Sequence, residues 1–137
     1  MIAPLAALFL ASVQDKEAGG SGTLRFEGRS RGYFIIAPEE TEGAPLMLLL
    51  HGGGGDGEKI ARIARVAETA RRAGFIAVCP DGIENRWNDG RVDGLDVDDV
   101  GFLCALAESI AAEHGADERR MYIAGASNGG MMAFRTV

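Results

Sequence analysis

From Leu46 onward the chain alternates between short unbroken apolar runs and longer stretches in which apolar residues recur every three or four positions. Leu46-Met47-Leu48-Leu49-Leu50, Phe75-Ile76-Ala77-Val78-Cys79 and Met121-Tyr122-Ile123-Ala124 carry no charged residue. Each reads as a strand covered on both faces. Between the first two, Ile60, Ile63, Ala64, Ala67 and Ala70 fall on one helical face. Glu58/Arg62 and Glu68/Arg72 lie four apart on the opposite face, which predicts one helix from Glu58 to Ala73, stopped by Gly74. Val100, Leu103, Cys104, Ala107, Ile110 and Ala111 predict a second helix, with Asp98 and Asp99 in its first turn and His114 and Gly115 at its end. Upstream, Asp15 to Gly22 reads as a polar connector. The β-prone runs TLRFE and RGYFIIA then predict a hairpin around Gly28-Arg29-Ser30.

Strands that alternate with helices require parallel pairing through crossovers, hence an α/β fold: an open sheet with helices on both faces, three layers in all. Ligands of such sheets gather at the carboxyl ends of the strands, and the chemistry of the chain should be sought there.

Composition removes several functions. The chain has 137 residues, enough for one domain, and 47% of them are apolar, which suits a folded core. With a net charge of -6 and Lys and Arg scattered singly or in pairs, no basic stripe is available to phosphates, so no nucleic-acid partner is expected. Cys79 and Cys104 lack a C-x-x-C spacing, and His51 and His114 stand far apart in sequence, so no metal site is expected. Each cysteine reads as a small buried apolar residue, and export would open the alternative of a bond between Cys79 and Cys104. The acidic run Asp93, Asp96, Asp98, Asp99 lacks the order of a calcium loop and reads as a helix start.

The leader MIAPLAALFLASV is apolar, too short to span a bilayer, and followed by polar residues. Residues 1–20 therefore read as a signal peptide and connector, and residues 21–137 as the folded part. The expected location is secreted or periplasmic, with no stable membrane span.

Two predicted strand ends carry unusual residues: His51-Gly52-Gly53-Gly54 after the first, and Gly125-Ala126-Ser127-Asn128-Gly129 after the third. The second is G-x-S-x-G. At a sharp turn from strand to helix, the central residue is forced into a strained backbone conformation, and glycines two positions to either side let the chain reverse without collision. Ser127 is the candidate nucleophile. The Asn128 and Gly53 amides are the candidate oxyanion donors, while His51, Gly52, Gly125 and Gly129 support the two turns. Trp87 reads equally as a pocket-lining residue or as packing under its loop.

In order along the chain, LLLHGGGG, CPDG, RWNDGR, VDDVGFL and ERRMYIAGASNGGMMAFR resemble the polyhydroxybutyrate depolymerase and feruloyl esterase-like branch of the α/β-hydrolases, over about residues 23–137. The resemblance implies a secreted serine esterase that uses Ser127 and no cofactor. Its substrate would be an ester, polymeric or small, of the hydroxyalkanoate, feruloyl or acetyl type. In that fold the acid and histidine of the triad follow the serine in sequence. The chain is therefore expected to be the amino-terminal part of the hydrolase and to be inactive alone. His51 is better suited to loop support than to catalysis, and His114 belongs at the far end of its strand. Other readings are a peptidase or thioesterase of the same fold, and a non-catalytic module that retains the hydrolase shell.

Overall fold

The computed structural model describes residues 19–91 and 95–137. The leader and Asp93 of the acidic run lie outside the described residues. Five strands form one sheet: β1 (Gly20–Phe26), β2 (Arg29–Ile36), β3 (Leu46–Leu50), β4 (Ile76–Pro80) and β5 (Met121–Gly125), in spatial order β1-β2-β4-β3-β5. The helices are α1 (Gly57–Ile63), α2 (Val66–Ala73), α3 (Asp99–His114) and α4 (Asn128–Thr136). The fold class expected from the alternation, an α/β sheet with helices on both faces, is the one observed.

The period of two along a strand divides the core. Leu46, Leu48 and Leu50 of β3, with Ile76 and Val78 of β4, pack against Phe102, Leu103, Leu106 and Ile110 of α3 and Met132 of α4. Met47, Leu49, Ala77 and Cys79 point to the other face, under Ala61, Val66 and Ala70. Truncating one of the fully buried leucines would cost about 2–5 kcal/mol.

The chain steps from β3 through α1 and α2 to β4 on one side, then through α3 to β5 on the other. Both neighbours are parallel to β3, with Leu46 opposite Ile76 and Met121, and Leu50 opposite Gly125. The carboxyl end of β3 is thus a point where the strand order reverses. The loops that leave β3 and β5 there lead to helices on opposite faces, α1 and α4, at the kind of point where ligands of open α/β sheets gather.

Several local expectations are corrected. The hairpin exists, but its turn is Glu27-Gly28, both at positive φ (46° and 77°), as a two-residue loop requires for the native strand twist. Strand β1 begins at Gly20, inside the stretch expected to be a connector. The single helix from Glu58 to Ala73 is two helices, broken at Ala64-Arg65 where Arg65 takes φ 50°. That break turns Val66 and Ala70 inward and leaves Ile63 76% exposed. Glu68 bonds Arg65 at 3.2 Å.

Strand β5 is not covered on both faces: Tyr122 is 59% exposed, and Ala124 and Gly125 are exposed as well, because β5 is the outer strand of the described sheet. An apolar groove of about 450 Å³ opens between β5, α3 and the end of α4. Cys104 lines it and is exposed, contrary to the expectation of a buried residue, whereas Cys79 is buried as expected. Both thiols are free, so the bond between Cys79 and Cys104 is not formed. No described helix is long and apolar enough to cross a membrane.

Candidate active site

Ser127 occupies the turn between β5 and α4 with φ 50° and ψ -118°, a conformation that costs a non-glycine residue about 1–3 kcal/mol. It is exposed, at the carboxyl end of the sheet. The flanking glycines are dictated by contact. A Cβ on Gly129 would lie 2.6 Å from the Leu50 carbonyl oxygen and closer still to that of His51, and one on Gly125 would lie 2.7 Å from the Gly130 nitrogen and closer to the Gly129 carbonyl. No side chain fits at either position.

The loop after β3 lies directly beside this elbow. A Cβ on Gly52 would stand 3.6 Å from the Ser127 Cβ and 3.4 Å from the Ala126 oxygen. The following turn is held by Gly55 N–H donating to the Gly52 carbonyl at 3.0 Å and Gly54 N–H, at φ 80°, donating to the Asn85 carbonyl at 2.7 Å. Gly53, between them, faces open space. Asn128 is the first residue of α4, so its N–H has no partner within the helix.

His51 is 1% exposed and both ring nitrogens are engaged. The Gly82 N–H donates to Nε2 at 2.9 Å, which fixes Nε2 as the unprotonated nitrogen and leaves Nδ1–H to donate to the Gly52 carbonyl at 2.7 Å. This is a neutral histidine bracing two loops, with no lone pair available to Ser127. His114 closes α3, next to its Gly115 cap, at the end of the sheet opposite Ser127.

Trp87 resolves as packing. It is 3% exposed, its Nε1–H donates to the His51 carbonyl at 2.9 Å, and its ring lies 5.1 Å from the imidazole. Its backbone pairs with the side chain of Asn128: Trp87 N–H donates to Oδ1 at 2.7 Å, and Nδ2 donates to the Trp87 carbonyl at 3.2 Å. Nδ2 also donates to Asp89 Oδ2 at 2.7 Å, and Asp89 pairs with Arg91 at 2.6 Å. Hydrogen bonds from the Arg91 side chain lead in holding the Asp89 carboxyl down to about 2; burial opposes them, and the Arg91 amide and Asn128 side chain add to them.

Three supports were not singled out as site residues in the sequence. Asp81 accepts from the first amide of α1, Gly57 N–H, at 2.7 Å. Asn88 links three elements, donating from its amide to Asp99 and from its side chain to the Val97 carbonyl while its own carbonyl accepts from Arg135 at 2.8 Å. Asp99, expected in the first turn of its helix and found there, is 1% exposed and pairs with Arg31 at 2.8 Å, whose guanidinium lies 3.8 Å over the Phe102 ring. Removing one partner of such a buried pair costs about 3–5 kcal/mol. Asp98 does cap α3, accepting from Gly101 N–H at 2.8 Å. The available signal was a cluster of Asn and Asp in the loops that leave strand ends, residue types that bond backbone amides.

Among the described residues no group of three or more His, Cys, Asp or Glu side chains is placed to hold a metal. Burial pushes the Cys79 thiol up to about 12, with the Asp81 carboxylate adding to it. Cys79 is therefore no rival nucleophile.

Sheet order, helix placement and strained elbow together define an α/β-hydrolase fold. A protein of Nocardia uniformis subsp. tsuyamanensis named "Putative esterase NocK" is 34% identical over 119 residues, 79% of this chain and 34% of its own length. The chain thus spans about a third of the curated relative it matches. Among solved structures, native sOPH superimposes with a TM-score of 0.73 at 24% identity, over 86% of this chain and 46% of its own. The acetyl xylan esterase from Aspergillus awamori gives 0.70 at 16% identity, over the same shares of the two chains, 86% and 46%. These likenesses establish the fold. No protein-family model matches the chain.

Proposed function

We propose that Ser127 is the nucleophile of a carboxylic-ester hydrolase. The observation that carries this reading is the exposed serine held at φ 50° between two glycines that tolerate no side chain, with the Gly52 turn alongside. A structural turn gains nothing from that strain, whereas a nucleophile needs its hydroxyl presented clear of the sheet. The esterase names among the relatives point the same way.

In this reading the Ser127 hydroxyl oxygen adds to the ester carbonyl carbon as its proton passes to a base. The Asn128 and Gly53 amides hold the carbonyl oxygen while it is negative. The alcohol then leaves with a proton, and water repeats the sequence to release the acid. With both nitrogens of His51 engaged, His51 is not the base in this reading. We assign the substrate to hydroxyalkanoate, feruloyl or acetyl esters on the motif resemblance, and the location to the exported compartments on the apolar leader.

The test is Ser127→Ala in the full-length protein, assayed on aryl, acetyl, feruloyl and hydroxyalkanoate esters and, beside them, on a thioester and a peptide. A loss of at least about 10³-fold in kcat/KM on whichever ester is turned over supports the reading. A change of a few fold, or turnover of thioesters or peptides alone, removes it.

A further inference from the structure

The two amides assigned to the oxyanion come from different strands, and their separation is not fixed by the sheet. Gly53 belongs to the turn after β3, and Asn128 opens the helix after β5. The elbow is tied to the end of β3 by the Ala126 N–H, which donates to the Leu50 carbonyl at 3.1 Å, and beyond that point the Gly53 and Asn128 amides are carried on separate loops. One hydrogen-bonded relay joins them: Asp89 to the Asn128 side chain, Asn128 to the Trp87 backbone, Trp87 Nε1–H to the His51 carbonyl, and His51 Nδ1–H to the Gly52 carbonyl.

The Asn128 side chain meets both backbone groups of Trp87, as a strand partner would. That pairing requires a defined orientation of the amide, Oδ1 toward Trp87 N–H and Nδ2 toward the Trp87 carbonyl. Asp89 enforces it: a carboxylate accepts only, so it selects Nδ2 as the neighbouring atom. The Asp89 side chain is 3% exposed, and its charge is matched by Arg91 at 2.6 Å. Paired with Arg91, the carboxylate stays an acceptor in front of Nδ2.

We propose that Asp89 and the side chain of Asn128 are positioning residues that set the gap between the two oxyanion amides through Trp87. The proposal rests on the serine-esterase reading. Asn128 would thus act twice: its backbone N–H faces the oxyanion, and its side chain holds that N–H in register with the Gly53 turn. Errors of about 1 Å in such a gap lower catalysis by roughly a hundredfold, and they act on the transition state more than on substrate binding.

The experiment measures kcat and KM on an aryl ester in the full-length protein, with thermal unfolding in parallel. Asp89→Ala should lower kcat at least about tenfold while KM stays within about threefold. Asp89→Asn, whose carbonyl oxygen still accepts from Nδ2, should recover most of that loss. Asn128→Asp keeps the acceptor for Trp87 N–H but sets a second carboxylate against Asp89, and should lose as much as Asp89→Ala. Adding Asp89→Asn to Asn128→Asp supplies a donor between the two and should recover part of that loss, the bond to the Trp87 carbonyl staying broken, a coupling that independent sites do not show.

All rates are read well below each unfolding temperature. If Asn128→Asp does not fold, the contrast between Asp89→Ala and Asp89→Asn decides. A kcat within about threefold of the parent for Asp89→Ala, or equal losses for Asp89→Ala and Asp89→Asn, overturns the proposal. The Ser127→Ala control separates the two claims: activity that survives it removes the serine reading, whereas Ser127-dependent activity indifferent to Asp89 removes only the positioning role.

Discussion

Adding one methyl group at Gly129 tests how tightly the elbow is held. In the Gly129→Ala variant the new Cβ starts 2.6 Å from the Leu50 carbonyl oxygen and nearer still to that of His51. Ordinary contact begins near about 3.4 Å, so helix α4 and the end of β3 must separate by about 1 Å. Both oxygens are backbone at the end of a central strand, and neither can swing aside as a side chain would. Overpacking of this kind costs about 1–3 kcal/mol of stability. The functional cost is of similar size, because the displacement separates Ser127 and Asn128 from the Gly52-Gly53 turn: about a hundredfold in kcat, or about 2.7 kcal/mol, for a misplacement of this size.

Two further glycines grade the effect. At Gly130 the closest atom to an added Cβ is the Gly125 carbonyl at 3.1 Å, a few tenths of an ångström too close, and at Gly20 nothing lies within 4 Å. Steady-state kinetics and thermal unfolding of the three alanine variants in the full-length protein should rank Gly129 far below Gly130, with Gly20 unchanged. A Gly129→Ala enzyme within about threefold of the parent rate would refute the packing argument for the elbow.

Three other outcomes follow from the same contacts. His51→Ala should cost about 2–4 kcal/mol in denaturant unfolding, since it empties a buried site, leaves the Gly82 N–H without its acceptor and leaves the Gly52 carbonyl only the Gly55 N–H, yet the acidic limb of the pH–rate profile, where loss of a general base would show, should not move. The Asp89 carboxyl, held down to about 2 in the folded chain, contributes stability that is complete above its unfolded value near 3.8 and is lost as pH falls through about 2. The stability difference between the parent and Asp89→Asn should accordingly be constant from neutrality to about pH 4 and shrink below it. Thiol titration at pH 8 without reductant should find Cys104 reactive in the native protein and Cys79 only after denaturation, in keeping with exposure of one and a pKa of about 12 for the other.

The three-layer sheet was legible because β3 and β4 are short apolar runs and α3 is strongly periodic, and those signals need no partner to be read. The exposure of the faces of β5 was not, because Met121-Tyr122-Ile123-Ala124 reads as covered on both faces, whereas Tyr122 is 59% exposed, and what packs on a strand's faces is decided by elements elsewhere in the fold. Nor was the break at Arg65 legible: its αL backbone lets Val66 and Ala70 reach the sheet, a tertiary gain that overrides local periodicity. At the site, the two glycine-rich turns stood out because their chemistry is local. The bracing role of His51 and the relay through Asp89, Asn128 and Trp87 were hidden, because the bonds that join the loops span 31 to 41 residues of sequence.

The central claim is that Ser127 is the reacting atom's bearer, and covalent labelling measures that directly. The full-length protein is treated with a fluorophosphonate, digested, and mapped by mass spectrometry. A single phosphonyl adduct on the peptide containing Ser127, formed in step with loss of ester hydrolysis and absent from Ser127→Ala, is the predicted result. An adduct on another serine, or ester hydrolysis that persists once Ser127 is fully modified, would contradict it.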